Sequence, residues 1–229
     1  MSQPAHLESN AAFINYPKQA TFGRNLPKNK IYEHSGANTR LKDLFVEQVE
    51  QIVWQYKLAP ETIHLPGKPS VPELQIFTIQ LKTAELNLDV LRCVDGAVQF
   101  PIIFELSFDG RTKVIAAYKR PNESDASRWV MSDYFETDWL SSDVARTAMP
   151  FALDLGGLYE QVLHRLIPTP ARQQESLADL LLRVEQIAVT QREVEKTASK
   201  LAKEKQFNRK VEINASLRRL KIELEQLSR

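Results

Sequence analysis

The chain has 229 residues and a formal net charge of +1, so no overall electrostatic field favours nucleic acid, membranes or acidic partners. Its single cysteine, Cys93, excludes an internal disulfide and a cysteine-based zinc site, which fits a reducing compartment. Because no apolar run is long enough to cross a bilayer and no signal-like leader opens the sequence, we expect a soluble cytoplasmic protein without a membrane partner.

Three segments with different patterns divide the chain. Residues 1–37 form a poorly patterned leader that proline and glycine interrupt repeatedly. Residues 38–171 alternate between helical and strand patterns and predict an α+β domain. Residues 172–229 have no glycine or proline and predict a C-terminal α-helical hairpin or coiled coil.

The predicted α+β domain begins with a helix that Asn38 and Thr39 cap. Tyr56 extends the apolar face of this helix and Pro60 bounds its end. The other residues of the face are Leu41, Leu44, Phe45, Val49, Ile52 and Val53. Polar and apolar residues then alternate from Leu74 to Leu81, which predicts a half-buried strand. A short helix is expected to follow from Asn87.

The second half of the domain has a stronger strand pattern. Two strands, Phe100–Phe108 and Arg111–Lys119, flank an Asp-Gly pair, which is the sequence most typical of a tight hairpin turn. Another strand is predicted over Trp129–Trp139, and Asp154 is placed to cap a further helix. The order predicts an α+β fold whose mostly antiparallel sheet is flanked by helices.

The C-terminal segment has two apolar seams with alternating steps of three and four residues. The first consists of Leu177, Leu180, Val184, Ile187, Gln191, Val194, Ala198 and Leu201, with Gln191 as its polar interruption. The second consists of Ile213, Leu217, Leu220, Leu224 and Leu227. The seams are out of phase across residues 203–210, which favours an antiparallel hairpin over one continuous helix. A homodimer through an intermolecular coiled coil is the other arrangement that the seams allow.

Positive charge is concentrated at the proposed bend. Residues 172–229 have 13 Lys/Arg against 9 Asp/Glu, whereas the rest of the chain has 17 against 20. The candidate contact residues at the bend are Lys203, Lys205, Phe207, Arg209 and Lys210. Their composition suits contact with a phosphate backbone or an acidic protein surface, and a solvated turn is the alternative interpretation.

Few residues have the spacing that catalysis requires. The four histidines are far apart, no glycine-rich phosphate loop is present, and we predict neither a metal nor a cofactor. Gln80 and Lys82 have the spacing of a Gln-x-Lys pair in nucleases of the restriction-endonuclease fold. That chemistry also needs carboxylates for a divalent cation, and the neighbouring acids, Glu73 and Glu105, are poorly placed to supply them. A solvent-facing polar pair is the alternative.

A further group of aromatic and basic residues lies near the predicted hairpin. Tyr118, Lys119, Arg120 and Trp129 form a candidate recognition patch. A polar connection that is anchored by its aromatic side chains explains the same composition.

Several stretches of the chain resemble one bacterial family. They are VEQIVWQYKLAPETI, LDVLRCVDGAVQFPIIFEL, AAYKRP, YFETDWL, LDLGGLYEQVL and EKQFNRKVEINASLR. Together they resemble the bacterial domain-of-unknown-function family numbered 4391 over about residues 21–229. The resemblance implies no activity and no catalytic residue. Members of the family are encoded near helicases and DNA methyltransferases in loci that look like restriction-modification or phage defence, which implies a class of partner.

Three hypotheses about function follow. The first is a non-enzymatic accessory protein that docks onto a larger DNA-processing partner such as a helicase or DNA methyltransferase. The second is a degenerate restriction-endonuclease-like phosphodiesterase that uses Gln80 and Lys82. The third is a nucleic-acid-binding module that uses the basic helical bend. The apolar seams and the lack of a catalytic constellation favour the first.

Overall fold

A computed structural model describes residues 10–122, 124–125 and 128–229. The strands are β1 (Ile14–Asn15), β2 (Thr21–Asn25), β3 (Val49–Leu58), β4 (Leu74–Leu81), β5 (Ile102–Phe108), β6 (Arg111–Pro121), β7 (Trp129–Glu136), β8 (Leu140–Ser141) and β9 (Thr147–Ala148). The helices are α1 (Lys28–Ser35), α2 (Thr39–Gln48), α3 (Pro60–Ile63), α4 (Leu88–Ala97), α5 (Leu155–Leu166), α6 (Leu177–Lys203) and α7 (Phe207–Ser228). The chain folds into two compact units, residues 1–168 and 169–229.

The main sheet of the first unit has the order β2-β3-β4-β5-β6-β7, and β8 pairs with β6 beyond the end of β7. The β4–β5 pair is parallel because α4 connects the two strands as a crossover, and the other pairs of this sheet are antiparallel. Asp109 and Gly110 have φ angles of 46° and 68° in the turn between β5 and β6. The predicted hairpin and the α+β class with a mostly antiparallel sheet are therefore confirmed.

The core of the first unit lies between one face of this sheet and helices α1, α2 and α4. Phe45, Phe77, Phe104, Val94 and Ile115 are almost completely buried there. The ring centroids of Phe77 and Phe104 lie 6.2 Å apart in an edge-to-face arrangement, which is a favourable geometry for aromatic pairs. Burial of each large apolar side chain contributes roughly 1.5–3 kcal/mol, so this layer contributes substantially to the stability of the sheet.

The helix predicted from Asn38 through Val53 and Tyr56, with Pro60 as its bound, is wrong in its second half. Helix α2 ends at Gln48, and the chain continues directly into strand β3. The ammonium of Lys28 donates to the carbonyls of Phe45 and Val49, at 2.9 and 2.6 Å, and satisfies the C-terminal end of α2. The apolar residues of β3 continue the helical spacing by coincidence, which is why periodicity alone did not place the boundary.

The poorly patterned leader contains regular structure within its described residues. It includes β1, β2 and α1, and residues 1–9 lie outside the description. Strand β1 pairs in parallel with β9, so its partner lies more than a hundred residues along the chain. A two-residue strand with so distant a partner has no local signal in the sequence.

The second unit is an antiparallel hairpin of α6 and α7. The guanidinium of Arg172, which precedes α6, donates to the carbonyl of Gln226 near the end of α7 at 2.6 Å. Helix α6 ends at Lys203, and Glu204 begins the turn to α7. The Oε1 of Glu204 accepts hydrogen bonds from the amides of Lys205 and Gln206. The fold prediction of a C-terminal helical hairpin is confirmed. Within the described residues, no helix is both long and apolar enough to traverse a membrane.

The inner seam of the hairpin follows the predicted one with one change. Val194 and Leu217 are buried, and the remaining apolar members of the second seam are half-buried. Thr190 is buried, whereas Gln191 is exposed and donates to Glu195 at 3.0 Å. The polar interruption of the seam is therefore the threonine, whose hydroxyl is smaller and costs less to bury.

Candidate functional site

The turn between α6 and α7 brings the predicted contact residues together. We call this surface the basic tip, and it consists of Lys203, Lys205, Phe207, Arg209 and Lys210. All five side chains are exposed, and Phe207 is 77% exposed. The neighbouring acid, Glu204, is engaged by the amides of Gln206 and Lys205, and these hydrogen bonds hold the pKa of its carboxyl below the ordinary value. The basic tip therefore presents cations around an exposed aromatic ring.

The open end of the hairpin is fixed by a buried arginine. Both Nε and Nη2 of Arg183 donate to the carboxylate of Glu175 at 2.7 Å, and Arg183 also donates to the carbonyls of Pro170 and Leu227. The side chains of Arg183 and Glu175 are almost fully covered. This clamp joins the start of α6, the preceding loop and the end of α7, so it holds the open end of the hairpin together.

The clamp makes the hairpin sensitive to acid. The hydrogen bonds from Arg183 lower the pKa of Glu175 from 4.5 to about 2. A lowered carboxyl pKa contributes stability that is present above about pH 4.5 and is lost as the pH falls toward about 2. We expect the stability lost in Glu175→Gln to be largest above about pH 4.5 and to vanish near pH 2. Urea unfolding followed by far-UV circular dichroism across this range measures the difference.

The matched control for this measurement is Glu185→Gln, which neutralises an exposed glutamate of α6. We expect that variant to follow the unaltered protein at every pH. If the stability lost in Glu175→Gln stays constant as the pH falls, the ion pair between Glu175 and Arg183 is not the source of that stability.

A second polar cluster lies inside the first unit, around Lys119 of β6. Lys119 is 2% exposed, and its ammonium donates to the carbonyls of Asp95, at 2.5 Å, and Val98 at the C-terminal end of α4. Cations are favoured at this end of a helix because the carbonyls there lack helical partners. Burial lowers the pKa of Lys119, and the nearby Asp95 carboxylate opposes that shift. Lys119 therefore joins the crossover helix to the sheet.

Asp95 completes this cluster. Its carboxyl is 3% exposed, its Oδ1 lies 3.7 Å from the Lys119 ammonium, and its Oδ2 accepts a hydrogen bond from the Tyr134 hydroxyl at 2.5 Å. Burial raises the pKa of Asp95 to about 6, and the positive charge of Lys119 opposes the rise. The buried Tyr159 hydroxyl of α5 accepts from the Lys119 amide at 3.0 Å and donates to the Ala117 carbonyl. The cluster thus connects α4, β6, β7 and α5.

Two cavities lie beside this cluster. A cavity of about 360 Å³ is lined by Asp95, Lys119 and Trp129 among other residues. A larger one of about 520 Å³ has an apolar floor that includes Leu91 and Ile115, with charged residues around it. Tyr134 lines the larger cavity, and its hydroxyl binds Asp95, which lines the smaller.

The structure divides the candidate recognition patch. Tyr118 stacks on Tyr159 with a centroid distance of 6.1 Å, whereas Lys119 points to α4 on the other side of the strand. The ammonium of Lys119 lies 5.7 Å from the ring centroid of Trp129, so these two do meet. Arg120 is half-buried and donates to the Pro121 carbonyl at 3.4 Å. Lys119 and Trp129 therefore line the same cavity, whose described lining residues do not include Tyr118 or Arg120.

Gln80 and Lys82 lie at the end of β4 without a catalytic neighbourhood. The Lys82 ammonium donates to the carbonyl of Val46 at 2.8 Å, at the end of α2. Gln80 is exposed and shares a sheet face with Glu105, whose carboxylate is held by both Nη atoms of Arg146 at 2.8 and 2.7 Å. Among the described residues, no group of three or more His, Cys, Asp or Glu is placed to hold a metal ion. The geometry adds no support to phosphodiesterase chemistry.

Sequence reasoning did not identify Asp95 or Arg146 as important. Asp95 lies four residues after Leu91 on the inward face of α4, and an acid in an apolar helical stripe is a signal of a buried partner. Arg146 and its partner Glu105 are separated by 41 residues, and no local pattern relates them.

A family model matches residues 14–224, and the family is described as Domain of unknown function (DUF4391). The match covers most of the chain and confirms the resemblance seen in the sequence. Neither the curated proteins nor the solved structures include a match to this chain.

Proposed function

The chain belongs to the DUF4391 family, and we propose that it is a non-enzymatic accessory protein of a bacterial DNA-processing or phage-defence system of the restriction-modification type. In this role the C-terminal hairpin docks, through its basic tip, onto an acidic surface of a larger partner such as a helicase or DNA methyltransferase. The exposed basic tip is the observation that supports the proposal most directly.

The charge of the basic tip favours an acidic surface. Four of its five residues are cations on neighbouring turns, and the adjacent Glu204 carboxylate is bound to the backbone of the turn. Such a charge distribution increases the rate of association with an acidic partner and selects against basic ones. Phe207, exposed at the centre, supplies the aromatic anchor that interfaces commonly use.

The flanks of the hairpin offer additional apolar surface. Leu182 and Val189 are exposed seven residues apart on one side of α6, and Val211 and Ile222 are exposed on α7. Exposed aliphatic residues at helical spacing are suited to packing against another helix. Val211 directly follows the basic tip, so a partner that engages the tip also covers this side chain. The other three lie roughly 18–32 Å farther along the helices and are covered only by a partner that extends along the hairpin.

Charge reversal at the basic tip tests the docking proposal. Any helicase or DNA methyltransferase that is encoded beside this protein is a candidate partner, and the variant Lys205→Glu/Arg209→Glu/Lys210→Glu is expected to lose co-elution with it in size-exclusion chromatography. The matched control is Arg218→Glu/Arg219→Glu/Lys221→Glu, which makes the same charge change on exposed residues farther along α7 and is expected to retain the complex. Retention by the tip variant contradicts docking through the tip, and the absence of any complex with the unaltered protein contradicts the accessory role.

Direct nucleic-acid binding is a second candidate function, which the exposed ring of Phe207 among cations favours. Proteins bind single strands by combining phosphate contacts from Lys and Arg with base stacking on aromatic side chains. If the three reversed cations each contact a phosphate, the slope of log K against log salt concentration should become less negative by about 2 in the tip variant. Fluorescence anisotropy with a labelled single strand measures this slope, and an unchanged slope excludes the tip as the contact.

A further inference from the structure

The smaller cavity of the first unit has the features of a binding site. It lies between the C-terminal end of α4 and the first half of β7, has a volume of about 360 Å³, and includes Asp95, Gln99, Arg128, Trp129 and Met131 in its lining. Ligand pockets in proteins typically enclose about 300–1,000 Å³ and combine apolar walls with a few fixed polar groups. This cavity meets both conditions.

Asp95 supplies a fixed acceptor. Asp95 is one of the residues that line the cavity. Its side chain is almost completely buried, and its Oδ2 is held by the Tyr134 hydroxyl. Its Oδ1 lies 3.7 Å from the Lys119 ammonium, which is an ion-pair distance but longer than a hydrogen bond. The Lys119 ammonium itself donates to two backbone carbonyls. Among the described residues, Oδ1 of Asp95 therefore has only this ion-pair contact, and it is the oxygen that is available to a hydrogen-bond donor of a ligand.

The other lining groups restrict the ligand further. The half-buried indole of Trp129 provides a flat surface, and Arg128, next to it in sequence, is exposed at the same cavity. Two cations, Lys119 and Arg128, face one carboxylate, so a positively charged ligand is disfavoured. These lining groups favour a ligand with a planar group that carries a hydrogen-bond donor and is attached to an anionic group.

We propose that this cavity binds a nucleobase together with its phosphate. The base stacks on Trp129, an exocyclic amino group donates to Asp95 Oδ1, and the phosphate lies against Arg128. Cytosine, adenine and guanine have such an amino group, whereas the ring N–H of uracil is flanked by carbonyls that the carboxylate repels. A free nucleotide and a base at an unpaired position of a strand share this chemistry. The inference is independent of docking through the hairpin.

Calorimetric titration of the full chain with cytidine, cytidine monophosphate, adenosine monophosphate and uridine monophosphate tests the proposal. We expect the amino-bearing nucleotides to bind more tightly than the uridine nucleotide. Trp129→Leu should weaken binding by roughly 5- to 150-fold, which is the effect of removing one stacking platform. Arg128→Gln should weaken the nucleotides about 10-fold and leave cytidine unchanged. Arg92→Gln, which alters an exposed residue of α4 outside the cavity, should bind as the unaltered protein does.

A parallel titration with short oligocytidine distinguishes the two sources of the base. Tighter binding of the oligonucleotide than of the mononucleotide, lost in Trp129→Leu but retained after charge reversal at the basic tip, supports a base presented by a strand. Equal or tighter binding of the mononucleotide supports a free nucleotide. Absence of binding by the unaltered protein at millimolar nucleotide, or equal affinity in a folded Trp129→Leu variant, overturns the proposal. If Trp129→Leu does not fold, Arg128→Gln decides, because its side chain is exposed and equal nucleotide affinity there also overturns it.

Discussion

Replacement of Lys119 by methionine is expected to destabilise the first unit by about 3–5 kcal/mol, because it leaves the buried Asp95 carboxylate without its cation. The carbonyls of Asp95 and Val98 also lose their donor. The loss should depend on pH. Burial raises the pKa of Asp95 to about 6, so the carboxyl takes up a proton as the pH falls below that value and no longer needs a cation. Urea denaturation at neutral and acidic pH measures the deficit, which should shrink in acid.

Two further variants test whether the stability is lost because the Asp95 carboxylate is left without a cation. Arg92→Met removes a cation of α4, the helix that contains Asp95; the partner of Arg92, Asp89, is about half exposed, so the variant should cost at most about 1 kcal/mol. Lys119→Met combined with Asp95→Asn should recover part of the stability that Lys119→Met loses, because no buried charge remains. A deficit that is the same at neutral and acidic pH, with no recovery in the double variant, attributes the loss to packing and to the two carbonyls that lose their donor, and contradicts a role for the Asp95 charge.

Replacement of Arg146 by alanine is expected to cost about 3 kcal/mol, because it leaves Glu105 buried in the sheet without a partner. The side chain of Glu105 is 4% exposed, and Arg146 holds both of its oxygens while also donating to the Ile14 carbonyl at 2.9 Å. The variant therefore loses an ion pair and one attachment of β1. Thermal unfolding by circular dichroism measures the effect, and hydrogen exchange at Ile14 should increase.

The control for Arg146 is Lys113→Ala on β6. Lys113 pairs with Glu136 at 2.9 Å, but Glu136 is about half exposed and remains hydrated when the lysine is removed. The stability lost in Lys113→Ala should be at most about 1 kcal/mol. Equal effects of the two substitutions contradict a special role for the burial of Glu105.

Elements with local signals were predicted well. The Asp109-Gly110 turn, the strand over Leu74–Leu81 and the Asn87 and Asp154 caps depend on residues adjacent in sequence, and the structure contains all of them. The expectation that the strand is half-buried was wrong, because β4 lies between β3 and β5 and is buried on both faces over most of its length. The phase slip between the two C-terminal seams likewise depends on local spacing, and it correctly favoured a hairpin. Local chemistry therefore predicted the α+β class and the hairpin.

Features that depend on distant partners were not predictable. The candidate patch treated Tyr118 and Lys119 as neighbours on one surface, but strand geometry sends them to opposite faces, where Tyr159 and Asp95 receive them. The sequence shows that Lys119 is charged and does not show that it is buried. Its partner Asp95 is 24 residues away, on a helix whose contact with β6 exists only in the folded sheet.

The pairing of β1 with β9 also determines when the first unit can fold during synthesis. Phe13 and Ile14 are buried in the finished protein, yet Ile14 must wait for Thr147, and Arg165 must appear before it can donate to the Ala11 carbonyl. The nascent chain therefore exposes this apolar segment until nearly the whole unit has left the ribosome. The hairpin has the opposite order, since α7 meets α6 directly after it is made and needs no distant partner. If the ribosome pauses before Thr147 is made, strand β1 of the nascent first unit has no strand with which to pair.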